Sequence, residues 1–92
     1  MKITLHDGKI YDVWFHYDKE NKQTMAVLDD LENNTLYRGL SKCSKKDVFN
    51  KVSGRKIALK KLFKEYFPGF ENRGFRTNIW KALANTGMRL HG

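Results

Sequence analysis

The chain changes its hydrophobic period once, and that change limits the fold more than any other feature. Residues 9–17 alternate with period two, with Tyr11, Val13, Phe15 and Tyr17 on one face and Ile10, Asp12, Trp14 and His16 on the other. Alternation rich in β-branched and aromatic residues predicts a strand. Further on the period becomes helical. Leu59, Leu62, Phe63 and Tyr66 stand at i, i+3, i+4 and i+7 with Ala58 beside them, so they make one apolar stripe. A β half followed by an α half predicts an α+β fold.

The other elements follow from turn chemistry. Residues 2–5 are a short alternating run, and Asp7-Gly8 behind them is a hairpin signal. Residues 18–22 form a polar turn, 23–28 a third strand and 29–34 a second polar turn. Asp29, Asp30 and Glu32 in that turn lack the spacing of a calcium loop and are expected to face solvent. Residues 35–43 read as a fourth strand, with Leu36 and Leu40 on one face and Tyr37 and Cys43 on the other. Ser53 or Asp47 can cap the first helix, and Phe67-Pro68-Gly69 ends it. A second helix runs from about residue 72 to 86, with Phe75, Ile79, Ala82 and Leu83 as its stripe and Gly87 as its C-terminal cap. No internal repeat stands out.

The expectation is one domain over residues 1–92. Residues 1–43 form a four-stranded antiparallel meander. Residues 44–92 supply a basic segment and two helices packed on one face of the sheet. Trp14 then lies on the open face, where it can stack on a base or pack against neighbouring strands.

Charge is as segregated as period. Residues 42–64 carry nine Lys/Arg and one acid, Asp47, which equals the whole formal net charge of +8. Residues 1–41 carry five basic and seven acidic groups. One-sign charge of this density suits a polyanionic partner, nucleic acid first, or an acidic protein surface. The candidate binding residues are Lys42, Lys45, Lys46, Lys51, Arg55, Lys56, Lys60 and Lys64, with Arg73 and Arg76 from the second helix. Lys56, Lys60 and Lys64 are four apart and line one helix face, where like charges repel by a few tenths of a kcal/mol per pair. An anionic partner would relieve that repulsion; the plain alternative is a solvated face. Gly54 with Arg55 and Lys56 could hold a phosphate at the helix start, or Gly54 could simply turn the chain. Arg76 and Trp80 are an (i, i+4) pair that can stack toward a partner, or Trp80 can widen the core stripe.

Catalysis, metal and membrane are not indicated. Cys43 has no second Cys, and His6, His16 and His91 are scattered, so no zinc site or other metal site is expected. No acid pair, Ser/His/Asp order or nucleophile elbow is present, so a non-enzymatic protein without cofactors is expected. A lone Cys and the lack of an apolar leader or membrane span point to the cytoplasm.

The run from Cys43 to Leu59, C-S-K-K-D-V-F-N-K-V-S-G-R-K-I-A-L, resembles a segment of small proteins encoded by bacteriophages and prophages. Those tend to read C-x-K-x-D-x-F-x-K-x-x-G-R-K-x-A-L-x-x-A-L and to continue with R-x-x-x-W, as Arg76 to Trp80 does here. The aromatic strand at Val13-Trp14-Phe15 is also similar. The resemblance covers about half the chain. It departs at Lys61, where a small residue is usual, and in the longer connection from Phe67 to Gly74. It implies a non-enzymatic inhibitor or accessory protein acting on nucleic acid or a nucleoprotein complex of an infected bacterial host, anti-CRISPR proteins among them. The rivals are a plain DNA- or RNA-binding or transcription-regulating protein and a small enzyme such as a nuclease. The absence of an acidic cluster disfavours the enzyme.

Overall fold

Four antiparallel strands in the order β1-β2-β3-β4 carry two helices on one face, in a computed structural model that describes residues 1–44 and 48–90. The strands are β1 (Lys2–Thr4), β2 (Ile10–Asp18), β3 (Gln23–Asp30) and β4 (Thr35–Lys42). The helices are α1 (Lys51–Tyr66) and α2 (Arg73–Asn85), with a 3₁₀ turn at Phe70–Asn72 leading into α2. This is the α+β architecture expected from the change of period.

Two hairpins of the meander use the same turn. Asp18 accepts from the Asn21 backbone N–H at 3.1 Å and side-chain amide at 2.8 Å; Asp30 accepts from the Asn33 backbone at 3.2 Å and side chain at 2.9 Å. Lys22 and Asn34 then take positive φ, 51° each, and reverse the chain. The sequence holds this device twice, as D-K-E-N-K and D-L-E-N-N, so a local repeat exists where none was expected. The Asn21 hydrogen bonds hold the Asp18 carboxyl below the usual carboxylate range. The structure also lengthens β3 to include Asp29 and Asp30, opposite Asp12 and Tyr11 of β2. The first hairpin is wider than a tight Asp-Gly turn: Leu5 N–H donates to the Lys9 carbonyl at 2.9 Å, closing a loop of five residues.

Strand alternation decides which side chains meet the helices. Tyr11, Val13, Ala26 and Leu28 are buried on the helix face and join Ala58, Leu59, Leu62, Phe63, Ile79, Leu83 and Leu90 in the core. Helix α1 lies over β3 and β4, and α2 over β1. An aromatic cluster seals the corner between them, with Phe63, Phe67, Phe75 and Tyr37 meeting edge-on or tilted. Tyr66, read as part of the stripe, is exposed at the rim and packs edge-on against Tyr37 at 5.1 Å.

Two glycines let α1 approach the sheet. A Cβ on Gly39 would run into the Ala58 carbonyl and stand 2.7 Å from Leu62 Cβ; one on Gly54 would meet Thr24 Oγ1. Gly54 is therefore a close-packing residue inside α1. The cap of α1 is Asn50, whose Oδ1 accepts from Val52 N–H at 2.9 Å and Ser53 N–H at 3.2 Å. Ser53 lies inside the helix, and Asp47, the other expected cap, lies outside the described residues. Asn50 succeeds because its backbone is extended and its short side chain reaches back to the first free amides.

The opposite sheet face is open. Ile10, Leu36 and Leu40 are exposed there, and Val27 is covered although it faces away from the core, because the register sets Trp14 on one side of it and Arg38 on the other. Trp14 Nε1 donates to His16 Nε2 at 2.8 Å, which fixes the indole against the sheet.

Candidate basic cleft between the helices

Among the described residues the basic segment does not make one continuous surface. Its residues separate into groups with different partners. Lys60 and Lys64 are exposed on successive turns of α1, on the side facing α2. There they border a cleft of about 390 Å³ whose other walls are Phe63, Pro68, Arg76 and Trp80, with Gly69 at the corner. Three cations and three apolar rings thus converge, with no acidic residue in the lining.

Each wall has a local cause. Lys60, Phe63 and Lys64 sit at i, i+3 and i+4, so the two exposed ammonium groups flank the point where the buried Phe63 ring meets the cleft floor. Trp80 packs edge-to-face on Phe63, with centroids 5.8 Å apart and planes at 80°. It is half-buried, so the indole belongs to both core and cleft. Arg76 donates through Nη1 to the carbonyls of Phe67 at 2.6 Å and Gly69 at 2.7 Å. Pro68 removes a backbone donor at the end of α1, and Arg76 satisfies carbonyls left over there. Among the described residues the cation–π contact of a lysine or arginine is Lys51 over Tyr17, so Arg76 and Trp80 share the cleft without the stacking expected from their spacing.

The remaining candidates lie elsewhere. Lys51 stands over the Tyr17 ring, 4.9 Å from its centroid. Arg55 donates from Nε and Nη2 to the Arg89 carbonyl and from Nη1 to the Tyr17 hydroxyl, which fixes the chain after α2. The Gly54 amide donates to the Asn50 carbonyl at 2.9 Å and Gly54 is buried. A phosphate cradle at Gly54–Arg55–Lys56 is thereby replaced by helix and core contacts. Lys56 is half-buried on the flank of α1, so the lysine row tilts toward the core at its N-terminal end. Lys42 lines a separate hollow beside Lys22 and Cys43. Arg73 is exposed at the first residue of α2, outside the cleft lining. Lys45 and Lys46 lie outside the described residues.

No carboxylate among the described residues forms a salt bridge with the cations of the cleft. Among the described residues the salt bridge that forms joins the Met1 ammonium to Asp12 at 2.8 Å, and Lys60, Lys61, Lys64 and Arg76 have no such partner. Among the described residues no three His, Cys, Asp or Glu side chains gather as a metal site, and no helix is long and apolar enough to cross a membrane. Sequence reasoning named all three cations but missed Phe63 and Pro68 as cleft walls. The available signal was Lys60-x-x-Phe63-Lys64, a ring flanked by lysines on one helix side.

No protein-family model, no curated protein and no solved structure matches this chain.

Proposed function

We propose that this is a small non-enzymatic binding protein whose basic cleft engages nucleic acid, either bare or held in a host nucleoprotein complex. That is the inhibitor or accessory role which the resemblance to phage proteins implies. The observation that carries the reading is the convergence of Lys60, Lys64 and Arg76 around the rings of Phe63 and Trp80, with no carboxylate in the lining. Cations with no salt-bridge partner raise the local concentration of a polyanion, and counterion release makes the binding depend on salt.

The test is charge reversal at Lys60 and Lys64, both exposed and outside the core. Binding to labelled nucleic acid is followed by fluorescence anisotropy across a salt titration. Wild-type affinity should fall as salt rises, with a log–log slope of about −2 for three phosphate contacts on a single strand. The Lys60→Glu, Lys64→Glu double variant should melt like the wild type and bind at least about tenfold more weakly, since tenfold is only about 1.4 kcal/mol. Undiminished binding by a folded double variant would remove the cleft from the function.

A further inference from the structure

We infer that the cleft takes one unstacked base together with its flanking phosphates, so that the protein prefers single-stranded nucleic acid to duplex. This rests on the nucleic-acid reading above and adds which form is bound. A surface that only neutralises phosphates needs no apolar hollow. Here the cations rim a depression whose accessible apolar walls are Pro68 and the half-buried Trp80, with Phe63, only 2% exposed, beneath them. Its volume, about 390 Å³, lies at the small end of the range for clefts that enclose a small ligand. That is room for one base in a depression open to solvent.

The shape argues in the same direction. Duplex readers push a protruding helix or ribbon into a groove. In this protein the cationic flank of α1 faces α2 across a recess, and a duplex keeps its base faces stacked out of reach of such a recess. A single strand offers those faces, and aromatic walls hold them with little dependence on sequence. Lys60 and Lys64 are one turn apart on α1, about 6 Å along the axis. Arg76 reaches the same hollow from α2, so cations stand on both sides of the rings. The guanidinium is pre-set by the Phe67 and Gly69 carbonyls at 2.6 and 2.7 Å, which lowers the ordering cost of meeting a phosphate. The Glu71 carboxylate lies against Gly69 at the edge of this corner and is outside the lining.

The experiment compares a short labelled oligothymidine with a duplex of mixed sequence and similar length, by anisotropy at matched salt. The single strand should bind at least about tenfold more tightly, the scale expected for one stacked base. Trp80→Leu should lower single-strand affinity by about tenfold and so narrow its advantage over duplex. Trp80→Phe keeps a ring and should retain the preference. Because Trp80 also packs on Phe63, each variant is melted by circular dichroism. Fluorescence quenching of Trp80 in a Trp14→Phe background provides a readout that needs no change at Trp80. Equal affinity for strand and duplex, or no quenching at saturation, overturns the preference and leaves the basic-cleft reading standing. Failure to bind either form removes both.

Discussion

The Arg55 guanidinium grips the Arg89 carbonyl oxygen through two nitrogens, Nε at 3.0 Å and Nη2 at 2.7 Å. Its third contact, Nη1 to the Tyr17 hydroxyl at 2.9 Å, ties the same side chain to β2. One residue of α1 thus joins the strand to the segment after α2, where Leu90 enters the core. The basic block therefore contains structural as well as surface charge.

Arg55→Ala should lower stability by about 1–3 kcal/mol, the cost of leaving these acceptors without their charged donor. Arg55→Lys should recover little, because an ammonium cannot reproduce the fork. Nucleic-acid affinity per folded molecule should stay at the wild-type value in both. Urea unfolding and anisotropy on the same samples decide this. Lost affinity at unchanged stability would return Arg55 to the binding surface.

What the sequence discloses here is what is local. Alternation in residues 9–17 places Val13 inside and Trp14 on the open face, and the stripes of Leu59, Leu62, Ile79 and Leu83 mark the helix cores. Three things stay hidden for physical reasons. Asp29 and Asp30 look like turn residues because carboxylates are poor strand formers, yet the pairing of β2 with β3 carries them into the sheet. The cap of α1 is one of several polar residues in a row, and backbone geometry selects Asn50. Arg55 and Arg76 read as surface cations because their acceptors, the carbonyls of Arg89, Phe67 and Gly69, come from the tertiary fold or from a corner that periodicity does not describe. The cleft is of this last kind: its lysines lie on α1 and its arginine and tryptophan on α2.

The contact between α1 and the sheet sets up a contrast between two glycines. Gly39→Ala places a methyl against the helix backbone at Ala58, which cannot rotate away, and should reach or exceed the upper end of the usual overpacking cost of about 1–3 kcal/mol. Gly54→Ala meets a side chain, the Thr24 hydroxyl, which has no hydrogen-bond partner among the described residues. It should cost less, and Thr24→Ala should relieve part of it. A double-mutant cycle by denaturant unfolding measures this coupling, expected at about 0.5–3 kcal/mol in the rescuing direction. Additive effects at Gly54 and Thr24, or a Gly39→Ala variant as stable as the wild type, would mean that α1 does not sit this close to β3 and β4.

Tyr11 makes the core sensitive to alkali. Burial, followed by the nearby negative charges of Asp30 and Asp7, pushes its phenol from 10.0 up to about 12. The ring is 5% exposed and packs edge-on against Phe75 at 5.6 Å, so the neutral form is the one the fold accommodates. The sign follows from the raised folded value. Below the unfolded pKa of about 10 the proton is bound in both states and the full stability is present. As pH rises from there to about 12, the unfolded chain loses the proton first, and stability falls. Absorbance at the tyrosinate band should show one of the four tyrosines titrating late or only on unfolding. Tyr11→Phe should remove that component and flatten the loss of stability over the same interval. A variant whose stability falls as steeply as the wild type's above pH 10 would assign the alkaline transition to another group.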